Sequence, residues 1–288
     1  MSDRTPAPAL ADDLGERVAD WYAETSRLRA TSVVVLAEDA WFVSTPRWPD
    51  SFATNCIVVR RDPGGEQLVA WTEEQLGAAG LAHRYVSAYC DLSEQTRATL
   101  VAAGYELTAL VEMALPLDGP RTSDASEGAP LAELVDLRES GRLHTVLWTD
   151  EWMPGIAGSE VAQLVGRRLD DSAGESLSWV VRDPGAAHPV SGDLVASTDL
   201  CLRGWTGEID AVATITAFRG RGYAAALMSA AIDAAAAHGC THVVLSALVD
   251  DWPRAWYARL GFVEVGVAWE ALRRPDGLTF TSTRDTAS

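Results

Sequence analysis

Hydrophobic and polar positions along the chain fall into short apolar runs separated by stretches with helical periodicity. Runs rich in valine, isoleucine and leucine, such as 32–36, 56–60 and 242–248, are typical of buried strands. The alanine-rich stretch 221–238 predicts a long helix that ends at Gly239, because glycine readily takes the left-handed conformation that ends helices. The pattern therefore predicts an α/β protein.

Predicted strands and helices alternate throughout the chain. The predicted strands cover 32–36, 56–60, 83–90, 105–115, 131–135, 177–181, 194–202, 208–214, 242–248 and 262–272. The predicted helices cover 10–29, 65–79, 93–103, 138–151, 159–171, 221–238 and 253–260. Ser159 is the expected N-cap of the helix at 159–171.

One segment, residues 116–130, combines many Pro, Gly, Ser, Asp and Thr residues with little apolar content. This composition is typical of a linker. It predicts an N-terminal domain at 1–116, a linker at 117–130 and a C-terminal domain at 131–288.

The two predicted domains are weakly similar to each other. Placing Gly80–Asp91 on Gly239–Asp250 gives five identities in twelve positions. A two-residue gap then aligns Gly104-Tyr105 with Gly261-Phe262, each at a predicted corner between a helix and a strand. We interpret this pattern as a duplication, and the alternative is that any strand flanked by Gly and Asp gives a similar match.

Composition narrows the chemistry that the chain can perform. It has 288 residues, of which 48% are hydrophobic, and all 23 basic residues are arginine. Without lysine, a Schiff-base mechanism and a Walker-type phosphate site are excluded. The net charge of −18 disfavours nucleic-acid and membrane partners and would attract a cationic small molecule, although general solvation is the favoured explanation of the charge.

The cysteines and histidines predict no metal site. The four cysteines lie far apart without a CxxC pair, which is typical of a reduced, cytoplasmic protein. His238 and His242 are separated by Gly239, which should end the helix before they could share a face. No apolar run approaches the roughly 18 residues that span a bilayer. A monomer and a homodimer both remain open.

The strongest chemical signal is the segment 212–224, where a predicted strand passes through a short loop into a helix. Gly220 and Gly222 allow the backbone N–H groups to face a common point, to which the helix N-terminus adds partial positive charge. Arg219 and Arg221 supply full charges that a diphosphate can bind in a bidentate manner. The segment predicts a pyrophosphate site, with a solvated turn as the alternative.

A second motif, at 250–262, follows one helix and one strand later. Together the two motifs resemble the Gcn5-related N-acetyltransferase (GNAT) superfamily, which shows Arg/Gln-x-x-Gly-x-Gly/Ala and then Asn-x-x-Ala-x-x-Leu-Tyr-x-x-x-Gly-Phe. Residues 219–224 match the first pattern. The second pattern is matched at Tyr257, Gly261 and Phe262 and departs at Asp250, Pro253 and Trp256. The resemblance covers about residues 131–283.

The resemblance implies two GNAT-like α/β (α+β) domains, each with a central, mixed, mostly antiparallel twisted sheet flanked by helices. It also implies that the C-terminal domain binds acetyl-CoA as a cosubstrate. The implied binding residues are Val212, Ala213, Thr214, Arg219, Gly220, Arg221, Gly222, Tyr223, Ala224, Asp250 and Tyr257. In the N-terminal domain the loop position is occupied by 60–66, where Asp62, Pro63 and Glu66 disfavour a diphosphate. We expect that domain to bind no cofactor and to complete the acceptor cleft.

Acyl transfer to an amine requires a base, because a free alkylamine with a pKa of ~10 is mostly protonated at neutral pH. Glu208 and Asp210 alternate on the strand before the loop, so both should lie on one face. We favour Asp210 as the base and Glu208 as its substitute or partner. The resemblance implies an N–H near Val212 for the oxyanion. It also implies that Tyr257 is the acid for the leaving thiolate, with a structural tyrosine as the alternative.

Trp148 and Trp152 flank Asp150 and Glu151 where the resemblance implies an acceptor lid. An aromatic and acidic pocket suits an amine with an apolar body, but ordinary core and surface positions are the favoured interpretation for most of the tryptophans in this half. The leading hypothesis is an acetyl-CoA-dependent N-acetyltransferase that acts on a primary amine of a small molecule. The alternatives are a peptide or protein N-acetyltransferase, and a CoA-binding or sensory protein without turnover.

Overall fold

A computed structural model describes residues 8–118, 130–170 and 172–274. The helices are α1 (Pro8–Arg29), α2 (Gly65–Trp71), α3 (Glu94–Ala102), α4 (Leu137–Val146), α5 (Gly158–Arg167), α6 (Tyr223–Ala237) and α7 (Trp252–Arg259). The strands are β1 (Ser32–Ala37), β2 (Ala40–Ser44), β3 (Cys56–Val59), β4 (Arg84–Ala88), β5 (Glu106–Pro116), β6 (Glu133–Val135), β7 (Glu175–Arg182), β8 (Leu194–Arg203), β9 (Thr206–Thr214), β10 (His242–Leu248) and β11 (Val263–Arg273). Short π-helical turns follow α2 at Thr72–Leu76 and α4 at Leu147–Trp152. Short 3-10 turns occupy Phe52–Thr54, Arg168–Asp170 and Thr216–Phe218.

The predicted order of elements is confirmed except for β2, which the sequence pattern does not predict. This strand is short and mostly buried on both faces, so it has no alternation of polar and apolar residues. The predicted cap of α5 is wrong. The helix begins one residue earlier, and its N-cap is Ala157 rather than Ser159, without a side-chain hydrogen bond.

The described residues form two compact units that are interleaved along the chain. Unit 1 contains residues 8–114 and 246–274, and unit 2 contains the described residues between 115 and 245. The interleaving arises because β11 pairs antiparallel with both β4 and β5. The predicted division of the chain is different, because it placed the last strand in the C-terminal domain at 131–288, whereas β11 belongs to unit 1. The predicted linker lies mostly outside the described residues.

Unit 1 contains the strand order β1-β2-β3-β4-β11-β5. The pairs are antiparallel except for β3 with β4, which are parallel. Both faces of β3 are buried. Cys56 and Val58 pack with Ala23 of α1, whereas Ile57 and Val59 belong to the cluster that contains residues of α2 and α3. Burial on both faces explains why β3 is a continuous apolar run.

Unit 2 contains the order β10-β9-β8-β7-β6, again antiparallel except for one parallel pair, β9 with β10. Helix α6 packs on one face, where a Cβ on Gly207 would lie 3.4 Å from Ala235 of α6 and 2.9 Å from Leu200 of the neighbouring strand β8. On the other face, Leu143 of α4 packs with Val180 of β7. One parallel strand pair among otherwise antiparallel pairs therefore occurs in both units.

The aligned corners of the two halves have the same local structure. Each has a glycine with positive φ: Gly80 and Gly239 in one aligned pair, Gly104 and Gly261 in the other. The residue after each glycine donates its N–H to the carbonyl five residues earlier: Leu81 to Leu76 (2.9 Å), Cys240 to Ala235 (3.0 Å), Tyr105 to Leu100 (3.0 Å) and Phe262 to Tyr257 (3.1 Å). This is a common way to end a helix at glycine. Its recurrence at the aligned positions supports the interpretation as a duplication.

Candidate active site

Strand β9 contains a bulge immediately before the loop. Asp210 and Ala213 are three residues apart on β9 but pair with residues two apart on β8, so the pairing skips Ala211 and Val212. Ala211 has a φ of +52°, which is uncommon for a residue with a side chain. Its N–H donates to Oδ1 of Asp210 at 2.7 Å. The bulge removes this part of the backbone from the regular ladder.

The pairing between the parallel strands β9 and β10 also ends before β9 does. Their register runs from Thr206 and His242 to Glu208 and Val244, although β9 continues to Thr214. In unit 1, by contrast, the β3 and β4 pairing reaches the end of β3, and beyond it the Tyr89 N–H donates to the Val59 carbonyl at 2.9 Å. A crevice between the carboxyl ends of strands is a common ligand position in α/β proteins.

The glycine loop, Arg219–Gly222, connects β9 to α6. Gly220 and Gly222 have φ values of +75° and +82°, in the region that favours glycine. Gly222 is the N-cap of α6, and no side chain caps the helix. A Cβ placed on Gly220 would have no neighbour within 4 Å. The loop therefore presents an open turn at a helix N-terminus, which suits an anion.

Each arginine of the glycine loop is held by a carboxylate from another element. Nη1 of Arg221 donates to Oδ2 of Asp183 at 2.8 Å, and the Tyr223 hydroxyl donates to the same oxygen at 2.6 Å. The bond from Tyr223 is the main reason why the pKa of Asp183 lies below its ordinary value. Nη2 of Arg219 lies 3.5 Å from Oε2 of Glu151. A bound diphosphate would therefore share these arginines with two acids.

Glu208 and Asp210 have different environments. Glu208 is only 7% exposed and lies between Cys201 of β8 and Val244 of β10. Asp210 is exposed and lies opposite Asp199 of β8. Of the two, Asp210 is thus the carboxylate that solvent and a substrate can reach, which favours it as the base.

Two tryptophans of the aromatic turn, Leu147–Trp152, contact each other edge to face. The ring centroids of Trp148 and Trp152 are 5.0 Å apart at 89°. The acids between them point elsewhere. Asp150 accepts a hydrogen bond from Thr149, and Glu151 accepts one from the Thr216 N–H at 2.9 Å. The predicted aromatic pair is present, but Glu151 is bonded toward the glycine loop.

His144 is a buried neighbour of this region that the sequence analysis did not single out. Its Nε2 lies 3.4 Å from Oγ of Ser197, and its ring meets Trp152 edge to face. Burial lowers the pKa of His144 well below the ordinary value, an effect that Arg168 reinforces and Asp210 opposes. The imidazole is therefore neutral at neutral pH.

Asp250 and Tyr257 belong to unit 1. Tyr257 is 8% exposed, with its ring centroid 5.1 Å from that of Trp256 and 5.9 Å from that of Phe262. Asp250 is exposed. Their roles in the site rest on their positions in the second motif and stay predictions.

In 8–118, 130–170 and 172–274, no group of three or more His, Cys, Asp or Glu side chains is arranged to hold a metal ion. No helix in the same ranges is both long enough and apolar enough to cross a bilayer.

Comparison with known proteins identifies the family of the C-terminal half. Residues 147–262 match the model of the acetyltransferase (GNAT) family. The matched stretch includes the bulge in β9, the glycine loop and the second motif. The chain carries a GNAT acetyltransferase domain. This domain makes the protein an acyltransferase, and the resemblance seen in the two motifs is confirmed.

Solved structures share the fold at low sequence identity. A functionally unknown conserved protein from Staphylococcus epidermidis is 16% identical, with a TM-score of 0.64 over 84% of this chain and 94% of that chain. A GCN5-related N-acetyltransferase from Kribbella flavida is 18% identical, with a TM-score of 0.56 over 92% and 96% of the chains. One from Sphaerobacter thermophilus is 20% identical, with a TM-score of 0.52 over 94% and 95%. These likenesses confirm the predicted α/β fold with mixed sheets flanked by helices. No curated protein matches the sequence.

Sequence reasoning missed Asp183 as a partner of the loop. It lies just after β7 in an Asp-Pro-Gly turn, where its Oδ1 accepts the Gly185 N–H at 2.8 Å. That turn is recognisable from sequence. The contact with Arg221 is not, because it joins residues 38 positions apart that only the fold brings together.

Proposed function

We propose that the protein transfers the acetyl group of acetyl-CoA directly to a primary amine of a small molecule. The observation that carries this proposal is the break in the β9 ladder at Ala211 and Val212, followed directly by the open glycine loop at the start of α6. Acetyl-CoA supplies an activated thioester and a diphosphate that loop amides can bind. Backbone released from the ladder can donate an N–H to the negative charge that develops on the thioester oxygen.

The residues assigned to the cosubstrate fit an extended ligand along one strand and one turn. Val212 and Thr214 are half-buried, so this part of β9 keeps some accessible surface. Gly220 and Gly222, both with positive φ, contribute no side chains to the turn. Arg219, Arg221, Tyr223 and Ala224 complete the set from the loop and the first turn of α6. Asp250 and Tyr257 join it by motif position.

The chain's own acid–base groups are assigned from exposure and from the motif. Asp210 removes a proton from the ammonium form of the acceptor, directly or through water. The hydroxyl of Tyr257 returns a proton to the departing thiolate. Exposure favours Asp210 over Glu208, and the motif alone supports Tyr257.

A small alkylamine with an aromatic body, an arylalkylamine, is the favoured acceptor class. The paired rings of Trp148 and Trp152 offer an apolar surface, and an aromatic face also attracts a cation. The net charge of −18 attracts a cationic acceptor in general. A peptide N-terminus is the alternative acceptor that shares the same amine chemistry.

The corresponding loop of unit 1 supports the assignment of cofactor binding to the C-terminal half. There the Asp62 carboxylate accepts the N–H groups of Gly64 and Ser93, each at 2.9 Å, and also the Thr96 hydroxyl. Burial raises the pKa of Asp62, but these hydrogen bonds outweigh that effect and the net pKa is lowered. The chain's own carboxylate thus occupies donors that an anion would need.

The test combines binding with turnover. Calorimetry with acetyl-CoA and with CoA measures binding, and thiol release is followed with arylalkylamines, aliphatic amines and short peptides. We expect binding together with thiol release that depends on an arylalkylamine. Binding without turnover for any amine favours the sensory alternative, and turnover with peptides alone favours the peptide N-acetyltransferase.

A further inference from the structure

We infer that Glu151 is a positioning residue that holds the entrance of the glycine loop from the aromatic turn. This inference rests on the proposed function, because it concerns how the loop is prepared for the diphosphate of acetyl-CoA. All the contacts that carry it lie within unit 2.

Glu151 lies on the buried side of the segment formed by α4 and the π-helical turn after it. Leu143 and Leu147 are fully buried and are spaced four residues apart. Glu151 lies four residues after Leu147 in the π-helical turn, and its side chain is only 15% exposed. A carboxylate that is largely buried needs polar partners, because burial removes it from water.

The partners of Glu151 lie at both ends of the 3-10 turn that leads into the loop. Oε1 accepts the Thr216 N–H at 2.9 Å, and Oε2 accepts the Thr216 hydroxyl. Oε2 also lies 3.5 Å from Nη2 of Arg219. Thr216 begins the turn and Arg219 is its C-cap. One carboxylate therefore fixes both the start of the turn and the first residue of the glycine loop.

Two effects of this carboxylate on anion binding have opposite signs. As a negative charge near Arg219 it should weaken the binding of a diphosphate. As a hydrogen-bond acceptor for Thr216 and an ion-pair partner of Arg219 it should strengthen binding, because the ordering of the loop is completed before the ligand arrives. We infer that the second effect is the larger one, since two of the bonds reach the main chain and side chain of a single residue.

Calorimetric binding of CoA separates the two effects. Glu151→Gln removes the charge but keeps the shape, and we expect the Kd to rise roughly tenfold or more, as for the loss of a charge-assisted hydrogen bond. Thr216→Val, which removes only the hydroxyl, should raise the Kd by a smaller factor. Asp150→Asn is the matched control, because it removes one charge from the adjacent residue. Tighter binding by Glu151→Gln, or a change equal to that of Asp150→Asn, would overturn the inference.

Hydrogen exchange tests the same role without any ligand. In the free protein we expect Glu151→Ala to speed exchange of the amides of 216–219 at least ~10-fold, because the Thr216 N–H loses its acceptor. Exchange of the α6 amides in Glu151→Ala should be unchanged. Exchange of the amides of 216–219 in Asp150→Asn should also be unchanged. Unchanged exchange at 216–219 in Glu151→Ala would overturn the positioning role, whether or not the wild-type protein binds CoA. Failure of the wild-type protein to bind CoA would instead refute only the proposed function.

Discussion

At the scale of single residues, the proposed base Asp210 also has a structural contact. Its Oδ1 accepts the N–H of Ala211 and so supports the positive φ of that residue. Its exposure leaves the carboxylate accessible to an acceptor amine. Asparagine keeps an oxygen for the Ala211 N–H but cannot take a proton, so Asp210→Asn isolates the chemical task.

Removal of the base and of the acid should therefore leave different traces in the pH dependence. For Asp210→Asn we expect kcat/KM to fall by ~100-fold and to recover partly as pH rises, because the free amine becomes more abundant. For Tyr257→Phe we expect a similar fall without recovery. Steady-state rates measured from about pH 6 to about pH 10 test both variants. If Asp210→Asn keeps full activity while Glu208→Gln loses it, the base is Glu208.

Glu112 of β5 is a buried acid that the proposed chemistry does not use. Within the described residues, neither of its carboxylate oxygens has a hydrogen-bond partner. It lies opposite Gly266 of β11, where an added Cβ would come within 2.8 Å of Oε2. Burial raises the pKa of Glu112 from 4.5 to about 7, and the charge of Arg60 opposes this only in part.

This raised pKa predicts how stability changes with pH. The folded state holds the proton of Glu112 more tightly than the unfolded chain, so its contribution to stability falls as pH rises from about 4.5 to about 7. The full effect is on the order of 3 kcal/mol, since each pKa unit corresponds to about 1.4 kcal/mol. Glu112→Gln should flatten this part of the profile in urea unfolding from pH 4.5 to 8. An unchanged slope would contradict the assignment, and Glu139→Gln provides a control at a partly exposed acid.

At the scale of elements, apolar runs identify strands but not their neighbours. The run 262–272 predicts a strand, and β11 is found there, but its place between β4 and β5 depends on pairings with residues more than 140 positions away. The glycine loop was easier to predict because its glycines, arginines and following helix are local. The bulge at Ala211 carries no sequence signal, since alanine does not favour positive φ.

The glycine loop makes a prediction about Gly222. Its φ of +82° disfavours any side chain by about 1 kcal/mol, but a Cβ would approach only Pro130, at 3.8 Å. Gly222→Trp should therefore fold, with a small loss of stability, and fail to bind CoA because the indole obstructs the open turn. Circular dichroism and calorimetry measure the two properties. Retained affinity for CoA in the folded variant would remove the loop from the binding site.

At the scale of the whole molecule, the two halves repeat a local architecture but differ where an anion would bind. Both contain a parallel strand pair and helices ending at aligned glycines. Gly64 and Gly222, each the N-cap of the helix after the loop, both have positive φ. Asp62 satisfies donors of the first loop, whereas the second loop is open. We interpret the chain as a duplication in which only the C-terminal copy keeps a cosubstrate site.

This interpretation predicts one molecule of CoA per chain, held by the C-terminal half. Calorimetric titration of the wild-type protein should give a stoichiometry of one, because the Asp62 carboxylate already accepts from Gly64 and Ser93 in the first loop. The same titration of Gly222→Trp should give no binding, which assigns the single site to the second loop. A stoichiometry of two, or one remaining site in the folded Gly222→Trp variant, would show that the N-terminal half binds CoA. Asp62→Asn is a further test, because it removes the negative charge but keeps only one of the two oxygens that accept from Gly64 and Ser93. If the fold of the first loop, rather than charge repulsion alone, excludes the ligand, the stoichiometry of this variant stays at one.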